Sequence, residues 1–366
     1  MTASGLAGIA RLDQFGLGFH VPDGLGHFAC CLRDWLRRNG IASDLYAQFS
    51  NLPADAWRHY REWRPSPGGA VLLHYTTGCA LNRAVAEAAV PRVMYYHNVT
   101  PPHFFAGSQP HDLAATEKGR AALPLLAPLF PVCWTHSEYS AAELRAAGAP
   151  RVRVVPLLRD FDRLNEPADP AWARQLVGFF GITLLAVSRV VPHKGDEELL
   201  ALAAELAREH AVRVLRVGPG DAQWQRELAS RAAAAGLADV VQFTGPLSQA
   251  AANACWRAAD VFLCLSEHEG FGMPLVEAMH FGVPIVAVDR TAVRETLAGS
   301  GILAREFDVP LLARTALRAA TDPALRAAVI GRQRQVLVRY QPAAVQAALA
   351  AALAADFPSG TLPVAS

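Results

Sequence analysis

Little in this sequence speaks for a strongly charged partner. Lysine plus arginine number 34 against 33 aspartate plus glutamate, a formal net charge of +1, so the electrostatic footprint of a nucleic-acid binder is missing. Cysteines are few, six in 366 residues, and none form a C-x-x-C pair. Cys30, Cys31, Cys79, Cys133, Cys255 and Cys264 therefore read as reduced, mostly buried thiols of a cytoplasmic protein, not as a disulfide frame or zinc site. Long apolar runs are lacking too. The longest, AALPLLAPLFPVCW (121–134), is too short for a bilayer and is broken by prolines, so no transmembrane helix is expected. The start MTASGLAGIARLDQ has neither the basic residues nor the apolar core of a signal peptide. There is no low-complexity tail to suggest disorder.

What is present is a well-cored chain, 52% hydrophobic and 18% charged, with length for about two domains. Short β-branched runs alternate with Ala/Leu-rich helical stretches. Strands are expected near 69–75, 92–97, 131–137 and 152–157, and helices at 25–39, 80–89 and 140–148. The last begins SAAE, where Ser140 as cap and Glu143 reaching back would make a capping box. The charged, proline-bearing stretch 161–178 reads as an interdomain linker. Alternation then resumes, with strands at 182–189, 212–218, 240–245, 261–266 and 284–289 and helices at 195–209, 221–235, 248–257 and 274–281. The pattern implies α/β architecture: two doubly wound, Rossmann-like domains, 1–160 and 179–341, facing across a cleft. An Ala-rich helix at 342–357, within a C-terminal segment 342–366, would pack back on the first domain. Ligands of such sheets sit beyond the carboxyl ends of the strands.

The chemistry concentrates in SEHEGFGMPLVEAM (266–279). Pro274 fits a first helical position, so amides around Gly272 and Met273 would point out of a helix N-terminus, where an anion is favoured. Gly270 and Gly272 let a ligand approach the backbone, while Glu269 and Glu277 supply acceptors for a ligand with hydroxyls beside its phosphate. A second cluster, AVSRVVPHKGDEELL (186–200), places Arg189 and Lys194 at a strand–loop–helix corner, where two cations could clamp a diphosphate. His193 between them reads as a loop residue. RDFD (159–162) contains Asp160-x-Asp162, a spacing that can hold a divalent ion, but it falls in the expected linker, so no metal is assigned to it. The basic cluster RDWLRRNG (33–40) reads first as a solvated helix end and leaves room for peripheral contact with an anionic membrane.

SRVVPHKG, then EGFGMPLVEAM some eighty residues on, then GVPIVA, resembles the donor-binding half of retaining glycosyltransferases with the GT-B fold, family-4 (group 1) type. The likeness covers roughly 180 to 305 and includes the spacing of that family's paired glutamates, Glu269 and Glu277. It implies that Arg189 and Lys194 hold the diphosphate of a nucleotide-sugar. Glu269 with the amides near Gly270, Phe271, Gly272 and Met273 would engage sugar and phosphates, Leu275 would lie beside the donor, and Glu277 would bind ribose hydroxyls. Gly218 and Thr244 would lie near the nucleoside. His97, ending the strand in VMYYHNVTPP (93–102), is similar to a histidine that contacts the donor sugar; the pair His97-Asn98 could bond a sugar hydroxyl or backbone. FGLGFHVPDGLGHF (15–28) stands at the glycine-rich loop of such enzymes. Asp23, Gly24 and Gly26 could approach a donor or acceptor phosphate, or form an ordinary turn; the stretch does not match G-x-G-x-x-G, which disfavours a nicotinamide dehydrogenase.

The expected activity is transfer of a hexose from a UDP- or GDP-sugar to a glycan, lipid-linked or small-molecule acceptor, with no cofactor or metal. Fixed positive groups would stabilise the departing diphosphate. No carboxylate can be named as a covalent nucleophile, which favours front-face displacement with retention. The alternatives are a non-catalytic sugar-nucleotide-binding scaffold and a GT-B epimerase or phosphorylase.

Overall fold

The structure, a computed structural model, describes residues 8–21, 23–107 and 109–358. The chain divides into two compact units: the first runs to Asp160 and includes the segment from Tyr340 onward, and the second is Phe161–Arg339.

In the first unit β1 (Arg11–Phe19), α1 (Gly24–Arg38), β2 (Leu45–Ser50), β3 (Arg58–His59), β4 (Gly69–Tyr75) and α2 (Ala80–Ala86) lead the chain. β5 (Arg92–Tyr96), α3 (Pro110–Leu126), β6 (Cys133–Thr135), α4 (Glu138–Ala146) and β7 (Val152–Val154) follow. The strands pair in parallel in the order β3-β2-β1-β4-β5-β6-β7. β4 is buried at every position, as a strand with helices on both faces must be. Alternate residues feed opposite faces: Leu72 joins Tyr95 and Trp134 on one side, while Val71 and Leu73 join Met94 and Tyr96 on the other.

The second unit begins with α5 (Phe161–Asn165) and α6 (Pro170–Leu176), then β8 (Ile182–Val187), α7 (Asp196–Ala207), β9 (Val212–Val217) and α8 (Ala222–Ala234). β10 (Val241–Gly245), α9 (Gln249–Ala258), β11 (Val261–Cys264), α10 (Met273–Phe281) and β12 (Ile285–Val288) come next. α11 (Val293–Leu297), β13 (Ile302–Ala304), α12 (Val309–Thr321) and α13 (Pro323–Leu337) complete it. Its six strands are also parallel, ordered β10-β9-β8-β11-β12-β13. The chain steps outward from β8 through β9 to β10 and then returns to β11 on the other side. β8 and β11 thus flank the switch point at which doubly wound sheets bind ligands.

Two local expectations need correction. Stretch 161–178 is no bare linker, because α5 and α6 pack against α9: Asn253 Nδ2 donates to the carbonyls of Arg163 (3.0 Å) and Glu166 (3.1 Å), and Asp169 N to that of Ala250 (2.9 Å). Asp162 of the D-x-D pattern falls in the first turn of α5. The cap of α4 is Ser137, not Ser140, and its side chain accepts from Ser140 N. Glu143 turns away to accept from Tyr96 Oη (2.8 Å), Asn98 Nδ2 (2.9 Å) and Arg120 Nη2 (2.8 Å), which holds Asn98 at a φ of 64°. A network that secures a left-handed residue outweighs the modest gain of a capping box. Arg33 and Arg37 of the basic cluster are engaged by Asp34 (2.8 Å) and Asp44 (2.6 Å). All six cysteines are free thiols, three buried and three partly so.

The terminal helix α14 (Pro342–Asp356) sets Val345, Leu349, Ala352 and Leu353 into the first unit's core beside Trp35 and Trp134. Pro323–Asp356 contains a stretch apolar enough by length and composition to cross a membrane, yet the second half of the segment lies in that core. Asp356 anchors it. Its side chain is wholly buried and accepts from Trp134 Nε1 (2.7 Å) and Arg153 Nε and Nη2 (3.0 and 2.9 Å), with Arg151 Nη2 at 3.1 Å. Removing a buried acceptor from charged donors costs about 2 kcal/mol. Asp356→Ala is therefore expected to lower the stability of the first unit by about that amount in urea unfolding, and an unchanged midpoint would show that α14 is held by apolar packing alone.

Candidate active site

The site is assembled at the carboxyl ends of β8 and β11. After β8 the chain makes one turn of 3-10 helix, Pro192–Lys194, and enters α7 through Gly195 at a φ of 75°. A Cβ on Gly195 would sit 2.5 Å from the carbonyl oxygen of Leu265, so glycine serves both the left-handed turn and the close approach to the end of β11. That approach brings Lys194 to Glu269. Lys194 Nζ donates to Glu269 Oε1 (2.7 Å) and to the His268 carbonyl (3.1 Å), with 12% and 13% of the two side chains exposed. Ser266 Oγ donates to the same Oε1 (2.7 Å). The Glu269 backbone is clamped by Thr291, whose Oγ1 accepts from its N–H and donates to its carbonyl, both at 2.8 Å.

Beyond this loop Gly272, at a φ of 85°, starts α10 without a side-chain cap, and Pro274 stands second in the helix, where a first position was expected. Phe271 is buried, its carbonyl fixed by Thr296 Oγ1 at 2.5 Å. The amides of this helix start form an anion-favouring terminus. Lys194, Glu269, Gly272 and Leu275 line one open pocket with Ser188, Ser266 and Pro274. Gly270, Phe271 and Met273 belong to the adjoining loop and helix start, and Glu277 is buried on α10 outside the lining. Arg189 is exposed, also outside it. His193 is buried, and burial, reinforced by Lys194 and Arg189, pushes it down to about 2, so it stays neutral at working pH.

Gly218 and Thr244 lie at the ends of β9 and β10. A Cβ on Gly218, at a φ of 140°, would fall 1.9 Å from the Ser188 carbonyl oxygen, so this glycine is dictated by the passing loop. Thr244 Oγ1 donates to the Gly245 carbonyl (2.8 Å).

Sequence reading missed Arg216 and Asp196. Arg216, in β9, is 1% exposed and paired with Asp196, the equally buried first residue of α7. Its remaining donors go to Ser188 O (2.9 Å), Val217 O (3.0 Å), Ser188 Oγ (3.1 Å) and Arg189 O (2.9 Å). One guanidinium thereby fixes the segment from which Arg189 projects and the helix that follows Lys194. The only signal in the sequence was an arginine interrupting the buried run VRVLRVG. Among the described residues no group of three or more His, Cys, Asp or Glu is placed to hold a metal ion.

In the first unit Asp23 and Gly26 carry structural duties. Asp23 caps α1, accepting from Gly26 N (2.7 Å), and a Cβ on Gly26 would meet the His20 carbonyl oxygen at 2.0 Å; around Gly24 there is open space. His97 follows β5, its N–H bonded to the Tyr75 carbonyl (3.0 Å). Its ring is stacked on Tyr95, with centroids 4.6 Å apart, and its Nε2 lies 2.9 Å from Nδ1 of His74.

Breaking the buried Arg216–Asp196 pair on one side only would strand a charge, at a cost of about 3–5 kcal/mol. Arg216→Leu is expected to destabilise the second unit by that order, and the double variant Arg216→Leu/Asp196→Leu to recover much of it, in a denaturation double-mutant cycle. Additive losses would contradict the coupling.

Comparisons with known proteins bear on the fold and on the second unit. Residues 181–336 match the family described as Glycosyl transferases group 1. A D-inositol 3-phosphate glycosyltransferase of Nocardia farcinica is 36% identical over 175 residues, 44% of this chain and 38% of that protein. The matched part is thus well under half of the relative's length. Sucrose-phosphate synthase from Thermosynechococcus elongatus superposes with a TM-score of 0.74 at 18% identity, over 92% of this chain and 96% of its own. HepE of Anabaena, solved in complex with UDP-glucose, gives 0.70 at 18% identity, over 94% and 99%. The chain has the GT-B fold, and residues 181–336, nearly all of its second unit, match the glycosyl transferases group 1 family.

Proposed function

We propose that the chain transfers a hexose from a nucleoside-diphosphate sugar to a hydroxyl acceptor, with retention and without a divalent ion. The observation that carries this reading is the Lys194–Glu269 pair at the switch point of the second sheet, beside the uncapped start of α10. Lys194 is a compact positive charge, and the helix start adds oriented amides. Together they suit the phosphates of a leaving diphosphate, with the exposed Arg189 supplying a second cation from the loop that Arg216 fixes. Glu269 Oε1 is taken by Lys194 and Ser266, which leaves Oε2 to accept from a sugar hydroxyl. Glu277, Gly218 and Thr244 are assigned to the nucleoside side. A uridine donor is the first choice, since HepE was solved with UDP-glucose. A small polyol acceptor is suggested by the name of the Nocardia relative.

In this mechanism the bond from C1 of the sugar to the phosphate oxygen breaks while the acceptor oxygen bonds C1 on the same face. The acceptor's proton passes to the departing phosphate oxygen. Glu269 is tied to Lys194 and fills a binding role in place of a nucleophile's. Fixed charge stands in for an ion because Lys194 and the amides are already oriented before the barrier is reached. The setting is the cytoplasm, where such donors are used.

Lys194→Ala is expected to lower turnover with UDP-glucose at least about tenfold, a loss of about 1.4 kcal/mol of transition-state stabilisation. Excess EDTA is expected to leave the wild-type rate unchanged. A folded Lys194→Ala protein within about twofold of wild type would remove this lysine from the mechanism, and a rate abolished by EDTA would remove its metal independence.

A further inference from the structure

We infer that Gln14 and His74 hold His97 in one tautomer, with the hydrogen on Nε2 and a bare Nδ1 that accepts a hydrogen bond from a substrate hydroxyl. The three side chains form a file from β1 through β4 to the end of β5. Gln14 Nε2 lies 3.2 Å from the Ala29 carbonyl oxygen and 3.2 Å from Ser43 Oγ. A backbone carbonyl only accepts, so the amide group of Gln14 must face it with its NH₂. Gln14 Oε1 then points to His74 Nε2 at 2.8 Å. A carboxamide oxygen also only accepts, so His74 Nε2 bears the hydrogen. Neutral imidazole has a single N–H, which leaves His74 Nδ1 as an acceptor, and the atom facing it at 2.9 Å is His97 Nε2. That nitrogen must donate, and Nδ1 of His97 is left bare.

The environment keeps both rings neutral. Phe19 and Phe28 meet His74 edge-on at 5.6 and 5.7 Å, and Phe28 also packs on His97 at 5.8 Å. The groups around His97 are His74 from β4, Tyr95 from β5, Phe28 from α1 and His136 after β6, none of them a carboxylate. Burial pushes His74 down to about 3 and, with His74 and His136 nearby, holds His97 well below its ordinary value. A second proton on His74 would be an uncompensated buried charge. His74 is buried and His97 partly exposed, so the file ends at a ring that can meet a ligand.

Gln14 and His74 are thus positioning residues, and His97 receives a hydroxyl proton's bond without supplying a proton to the leaving group. That the hydroxyl belongs to a sugar rests on the transfer reading above. The test is a long-range ¹⁵N–¹H correlation spectrum of histidine-labelled protein, with transfer rates from UDP-glucose for His97→Asn and His97→Gln. The wild-type spectrum should show Nε2–H for His97, and Gln14→Leu should shift it toward a mixture of tautomers. Asparagine can place an oxygen near the Nδ1 position and glutamine cannot, so His97→Asn should outpace His97→Gln by at least about tenfold. An Nδ1–H signal in the wild type would overturn the inference irrespective of any rate, and equal rates for the two variants would overturn the accepting role toward substrate. Absence of transfer by wild type from every nucleotide hexose would instead overturn the transfer reading and the sugar as ligand, while the spectrum still decides the tautomer.

Discussion

The contact between Lys194 and Glu269 joins the segment after β8 to the segment after β11, the two strands between which the second sheet reverses direction. Each residue alone would be an ordinary surface charge. Held at 2.7 Å with little exposure, they form a dipole whose positive end is fixed before any ligand arrives. The contact depends on Gly195, because any side chain there would strike Leu265 and push the two loops apart. Charge fixed by backbone geometry needs no reorganisation when a diphosphate departs.

A buried arginine gives this arrangement its frame. Arg216 places its donors on Asp196 and on the Ser188, Val217 and Arg189 carbonyls, and Gly218 leaves room for Ser188 to pass. Burial of an ion pair is seldom favourable in itself. Its use here is positional: the strand under the pocket, the loop beside it and the helix leaving it share one side chain. The first unit uses the same device in neutral form, where Gln14 and His74 set the ring of His97.

Much of this was legible in the sequence, and the exceptions have physical causes. β4 was read to the residue because GAVLL opens it as an unbroken apolar run, as a doubly covered parallel strand requires. β1 was missed because Asp13, Gln14, Gly16 and Gly18 interrupt its run, and their polar and close-packing roles appear only once Arg11, His74 and Phe49 are beside them. The helices α5 and α6 were hidden in a stretch whose charge and prolines mimic a linker; Asp169 and Pro170 there are a helix start, the aspartate capping α6. At the site, Lys194, Glu269, Gly272 and Leu275 could be named from motif spacing and share one pocket. Arg216 could not, since its meaning depends on a partner twenty residues away and on a turn of backbone that no pattern encodes.

The most direct test of the central claim is calorimetric titration of UDP and of uridine into the chain with excess EDTA present. Two charge-assisted contacts to a diphosphate are worth about 3 kcal/mol, so UDP should bind at least about a hundredfold more tightly than uridine. Equal affinities, or binding of UDP that begins only when a divalent ion is supplied, would contradict the account.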